Sequence, residues 1–209
     1  MPFVIHAGDM IHVEEFPLQM RPNKKALRPY VGGGTLYEAT CRAVCGNLFF
    51  ASDSSSTSAS LAGSKAMFRR ATEHDIKSVK LWRKWLHRGK TSEYGSYAPP
   101  DPKDFDNQDV YARVVEANRA IRSVGLLRRF VELDSGYVGM AAGAIEGDEV
   151  VVVMGARTPF AVRRVGELKI DGGEKKMAYV VVGECYLVGG MDGELMGSME
   201  KGEEEMYLL

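Results

Sequence analysis

Glu184 stands directly after Val180-Val181-Val182-Gly183, in a run whose composition suits a buried strand. A carboxyl there must find a partner or hold its proton, because an unpaired charge is disfavoured in a low-dielectric interior. The neighbouring segment Thr158-Pro159-Phe160-Ala161-Val162-Arg163-Arg164 offers two guanidinium groups. Either arginine could bridge to Glu184 across a strand and fix its register. The same residues also suit proton transfer, with Glu184 as general acid or base and Tyr186 and Arg163 beside it in a barrel mouth. Tyr94, Tyr97, Tyr137 and Arg164 would then hold and orient a substrate. No serine-nucleophile elbow, zinc-helix motif or Walker loop occurs, and neither metal nor cofactor is expected.

Other chemically able residues read as structural. Cys41 and Cys45 are four apart on a helical pattern and could form half of a zinc site, but no second pair follows. They and Cys185 are expected as buried thiols. His6 and His12, with Glu14 and Glu15 nearby, read as surface histidines around a turn at Gly8-Asp9 rather than as ligands. Gly32-Gly33-Gly34 lacks the phosphate-loop pattern and reads as a hinge.

These residues need elements to carry them. Gly147-Asp148-Glu149 leads into Val150-Val151-Val152-Val153, four β-branched residues that favour a pleated surface. Gly155 and Pro159, then Gly166 and Asp171-Gly172-Gly173, mark reversals, so three strands buried on both faces are expected. Residues 128–133 and 137–140 read as a hairpin across Asp134-Ser135-Gly136. Residues 3–16 read as extended. Thr35 with Glu38 forms a capping-box pattern that starts a helix over about 35–48. Helical periodicity also runs over about 65–89 and 107–124. The 65–89 helix carries a basic face, including Arg69, Lys80 and Arg83, read as solvated rather than as a nucleic-acid surface. Residues 90–106 form an aromatic, Pro-containing loop able to line a pocket, and the Ser-rich stretch 52–64 is low-complexity.

The carboxy-terminal block resembles the C-terminal region of fungal heterokaryon-incompatibility (HET) domain proteins. The matching positions are Gly147, Asp148 and Val150; Pro159, Phe160 and Arg163 or Arg164; Val182, Gly183, Glu184 and Tyr186; and Met191, Gly193 and Glu194. Leu36-Tyr37-Glu38-Ala39 with Arg42 and Asn47 is similar to a helix of the same family. The HET domain itself is absent. The resemblance implies a fungal origin and a recognition module that binds another protein in allorecognition or a related response.

Composition narrows the remaining classes. With 27 basic and 28 acidic residues the net charge is −1, which implies no general pull towards nucleic acid or anionic lipid. Three cysteines without a secretory start indicate a reducing, cytoplasmic setting. No apolar run approaches the roughly 20 residues of a membrane helix. The expectation is an α+β fold in one domain, 1–209. Its helical part covers about 35–124. A small, mainly antiparallel β-barrel or curved sheet covers about 128–195 and is joined by the N-terminal strand. The recognition module has one competitor: a cofactor-independent isomerase, cyclase or dehydratase acting on a small apolar fungal metabolite. Neither reading specifies an oligomeric state.

Overall fold

The computed structural model describes residues 2–13, 26–51, 67–87, 99–170, 172–191, 194–195 and 203–209. Tyr94, Tyr97, Glu14, Glu15, the Ser-rich stretch 52–64 and residues 90–98 of the aromatic loop lie outside the described residues.

Three helices and nine strands are present among the described residues, an α+β fold. In chain order they are β1 (Pro2–Val13), α1 (Leu36–Val44), β2 (Leu48–Phe50), β3 (Phe68–Arg70), α2 (Glu73–Leu86), α3 (Gln108–Gly125), β4 (Arg128–Leu133), β5 (Val138–Ala142), β6 (Glu149–Val153), β7 (Phe160–Lys169), β8 (Lys175–Leu187) and β9 (Glu203–Leu208). The main sheet runs β4-β5-β8-β7-β6-β1, and β1 returns to pair with β4. Six antiparallel strands therefore close a ring. β9 pairs antiparallel with β1 and parallel with β8, adding a seventh strand at one end.

Closure of the ring depends on β1 serving two partners. Residues from Ile5 to Met10 pair with β6 and the last three residues with β4, as in Ile11 opposite Leu133. The change of partner follows a register shift between His6 and Asp9. The Gly8-Asp9 position expected to interrupt this strand instead bends it, the usual effect of a bulge. Ile11 then points into the ring with Val131, Leu133, Val150, Cys185 and Leu187. The interior is narrow, and small side chains such as Ala141, Ala144 and Ala161 complete it.

The valine run is apolar throughout because both of its faces are covered. Val150 and Val152 pack inward, while Val151 and Val153 pack on a separate cluster with Val162 and Met206. The outer face of β4 and β5 carries Phe130, Val138 and Met140 into the helical layer, against Trp82, Val114 and Ile121. The helices thus pack on the outer face of the barrel in a hydrophobic layer distinct from the cluster inside the ring.

The helices begin and end where local chemistry dictates. The Thr35 side chain accepts the Glu38 amide and starts α1. Gly46 and Asn47, with φ of 57° and 54°, end it in left-handed geometry at residue 44 rather than near 48. β2 follows at once. α2 begins at Glu73 instead of near 65, because Thr72 and Asp75 form a complete capping box and residues 68–70 pair with β2 as β3. The basic face read over 65–89 is also less solvated at Arg69, Lys80 and Arg83 than its sequence implied. Arg83 is buried 5.0 Å over the Tyr37 ring, Lys80 pairs with Glu38 at 3.2 Å, and Arg69 pairs with Asp75. Those charges are engaged within the fold, so they do not form a free nucleic-acid surface.

His12 lies between two carboxylates, with Nε2 2.7 Å from Asp134 and Nδ1 2.7 Å from Glu146. These hydrogen bonds raise its pKa above the usual imidazole value of 6.5. A raised folded pKa means the contribution is complete below the unfolded value and is lost as pH rises through the folded one. Comparison of wild type with His12→Ala by thermal melting is therefore expected to show a stability difference at pH 6 that shrinks towards pH 9. A difference that grows with pH would contradict the arrangement.

Candidate functional site

β8 emerges from the barrel beside the start of α1, and a cleft of about 560 Å³ opens between them. One wall is the Gly32–Gly34 turn. Its geometry is pinned, not hinge-like: the Gly33 amide donates to Tyr30 at 3.0 Å and the Tyr30 amide to Gly34 at 3.1 Å. The Tyr30 hydroxyl donates to the Val188 carbonyl at 2.7 Å and accepts from the Val138 amide at 3.1 Å. Those two hydrogen bonds fasten the turn to the barrel. Gly32 and Gly189 cross so closely that a Cβ on Gly189 would lie 3.1 Å from the Gly32 Cα.

The opposite wall comes from α1 and the loop after it. Arg42 donates to Asn47 Oδ1 at 2.9 Å and to the Ala71 carbonyl at 3.4 Å, and forms an ion pair with Glu73. Asn47 tolerates its left-handed backbone better than most residues, and its side chain is thereby aimed at Arg42. Glu38 is held below the ordinary carboxylate range chiefly by the hydrogen bond from Lys80. Tyr186, Met191 and Glu194 complete the cleft from the barrel side. Burial pushes the Tyr186 phenol above its usual pKa, so it is a neutral hydroxyl at physiological pH.

The cleft continues into two smaller hollows. One, of about 170 Å³, shares Gly46, Leu48, Tyr186 and Met191 with it and adds Val124, Arg128, Thr158 and Glu184. The next, of about 160 Å³, shares Thr158 and Met191 and reaches Gly155 and Arg157. Met191 borders all three, so they form one groove along the barrel end.

The residues singled out from sequence separate into groups. Glu184 and Tyr186 are two apart on β8 and both border the middle hollow. Glu184 is exposed, however, and sits opposite Phe160 rather than an arginine. The expected Glu184–arginine bridge is replaced by two others. Arg163 donates to Asp148 at 2.8 and 3.0 Å, and Arg164 pairs with Glu149. Register is the reason: Arg163 lies opposite Val180, four residues from Glu184 along β8. Asp148 is buried, and burial alone would raise its pKa, but the bonds from Arg163 and the Ile145 amide outweigh this and lower it. Tyr137 packs edge-on against Tyr30, ring centroids 6.2 Å apart, in the hairpin and not in the groove. Arg163 and Arg164 also lie off the groove. All three cysteines are buried, and burial pushes the Cys45 and Cys185 thiols up to about 12.

Arg70 and Glu73 also line the cleft and carry no signal for it in the sequence. The signal that finds the cleft is the resemblance itself. Glu38, Ala39, Arg42 and Asn47 come from one end of the chain, and Tyr186, Met191 and Glu194 from the other. All seven line the same cleft. Asp148 and Arg163, also among the residues that carry the resemblance, form the half-buried bridge.

A protein-family model for the Het-6 beta-barrel domain matches residues 116–209. Over 77 residues the chain is 39% identical to heterokaryon incompatibility protein 6, OR allele, of Neurospora crassa. That stretch is 36% of this chain, and the chain covers about a tenth of that relative's length. No solved structure matches. The matched region holds β4 to β9, whereas β1, which completes the ring, and most of the helical layer lie before it. The chain thus carries a Het-6-like β-barrel and is, at that level, a module related to heterokaryon-incompatibility proteins.

Proposed function

We propose that this chain is a protein-recognition module, acting as one domain, that receives a segment of its partner in the groove beside β8. The response it serves is allorecognition or a related fungal process. One observation carries the reading: residues from two segments about 140 positions apart, each resembling HET proteins, converge on a single cleft. The groove is open, polar where α1 borders it and more apolar around Leu48, Val124 and Met191, as an interface with a specific centre requires.

The test uses Tyr186→Ala combined with Leu48→Asp, and Val165→Asp on the exposed β7 arm as the control. Association with a partner isolated from fungal cells is expected to weaken about tenfold or more in the groove variant. The control should bind like wild type, and circular dichroism should show both folded. Equal binding by all three proteins would end the proposal.

The acid–base enzyme keeps one supporting observation, that Glu184 and Tyr186 share the middle hollow. In that reading Glu184 moves the proton and Tyr186 orients an apolar metabolite. Turnover abolished by Glu184→Gln with the fold intact is its expected sign, and turnover that survives removes it.

A further inference from the structure

The turn from α3 into β4 exposes two leucines. Leu126 is 76% exposed and Leu127 86%. Leu127 also holds φ at 60°, a left-handed conformation that disfavours leucine and suits glycine or asparagine. A strained backbone that presents an apolar side chain to water stabilises nothing within the chain, so its use is sought outside it.

Four arginines surround this tip. Arg119 and Arg122 precede Leu126 by seven and four residues on α3, which places them on its face of the helix. Arg128 and Arg129 follow directly on β4, where Arg129 is exposed and Arg128 borders the middle hollow of the groove. Arg119 lies 4.0 Å over the Phe50 ring. Among the described residues none of the four forms an ion pair, in contrast to Arg42, Arg69, Arg163 and Arg164. The guanidinium groups stay charged at any physiological pH.

We propose that this corner docks on an anionic lipid surface, with Leu126 and Leu127 inserted at the headgroup level and Arg119, Arg122 and Arg129 against lipid phosphates. Charge complementarity selects an anionic partner. Exposure selects lipid: neither leucine lines the groove, and both stand largely in solvent, where a fluid surface can surround them. This is peripheral docking. Among the described residues no helix is long and apolar enough to cross a membrane.

The test is sedimentation of the full chain with phosphatidylcholine vesicles, with and without phosphatidylserine. Binding is expected only with phosphatidylserine and should weaken as salt rises. Each arginine contributes about fivefold, so Arg122→Glu with Arg129→Glu should lower binding about twentyfold or more. Leu127→Gly removes one inserted side chain and suits the left-handed backbone, so it should remain folded and bind about fivefold more weakly. Lys103→Glu, an exposed charge on another surface, should bind like wild type. The proposal fails if phosphatidylserine vesicles do not bind at low salt. It fails equally if the arginine variant binds undiminished, or if Lys103→Glu loses as much as that variant does. Capture by immobilised polyglutamate without any vesicle binding would overturn it in favour of an acidic protein.

Discussion

Gly139→Ala is expected to destabilise the protein by about 3–5 kcal/mol or to prevent folding. A Cβ at this position would lie 1.9 Å from the Tyr186 carbonyl oxygen and 2.9 Å from its carbonyl carbon. The obstacle is backbone, so no side chain can turn aside. Relief requires β5 and β8 to part, which breaks the pairs Gly139–Leu187 and Met140–Tyr186. At this chain length 1 kcal/mol moves the melting temperature by about 2–4 °C, so a fall of about 10 °C or more should be seen. Gly125→Ala is the matched control. An added Cβ there meets nothing within 4 Å, and the residue ends a helix with ordinary backbone, so the change should lie within about 0.5 kcal/mol of wild type or slightly stabilise. A tolerated Gly139→Ala would mean that β5 and β8 do not approach as described. Because β8 also carries Tyr186, a Gly139 variant that still folds should show an altered groove.

Asp148→Ala should cost about 2–4 kcal/mol in denaturant unfolding. Three donors lose their acceptor: Arg163 Nε at 2.8 Å, Arg163 Nη2 at 3.0 Å and the Ile145 amide at 2.8 Å. Arg163 is partly exposed and can recover water, which keeps the figure below that of a sealed pair. The site is sensitive because the Asp148 carbonyl also accepts the Ile11 amide at 2.7 Å, where β1 leaves β6 for β4. Acid should reproduce part of the loss. The folded pKa of Asp148 is depressed, so its contribution is present above the ordinary carboxylate value and disappears as pH falls through the folded one. Asp75 behaves alike. Burial would raise it, but hydrogen bonds from Arg69 and from the Thr72 amide and hydroxyl prevail and hold it at about 2. Its share is about 2 kcal/mol. Wild-type stability should therefore decline from about pH 5 to pH 2, and less steeply in Asp148→Ala. A profile unchanged over that window would exclude both carboxylates as stabilising groups.

Much of the local structure was legible in the chain because short-range chemistry decides it. Thr35 and Thr72 cap helices through bonds that span three residues. Asp134-Ser135-Gly136 turns the β4–β5 hairpin because Gly136 accepts a φ of 87°. Four valines form a strand whichever partner they meet. Even the start of α2 was written at Thr72-x-x-Asp75, although apolar periodicity beginning earlier obscured it.

The candidate site was legible only in pieces. Glu184 was expected in the interior on the strength of Val180 to Val182, yet Val181 is 49% exposed and Glu184 shares the outer face of β8 with Tyr186. A strand's composition does not say which of its faces is covered or which residue lies opposite. The β6–β7 register, with Glu149 opposite Val162, brings Arg163 beside Asp148, a residue already present in the same motif.

The sequence by itself determined the three helices, the valine-rich strands, the hairpin turn, the burial of the three thiols and the likeness to HET proteins, but not β2, β3 or β9. Each depends on neighbours a few positions away, or on residue identities in order. Tertiary structure alone decided the closure of the ring by β1, the acid–arginine pairing and the meeting of α1 with β8. Those depend on register and on contacts between distant segments, such as the Tyr30–Val188 bond across 158 positions. Their partners are selected by how the whole barrel closes, which no local pattern encodes.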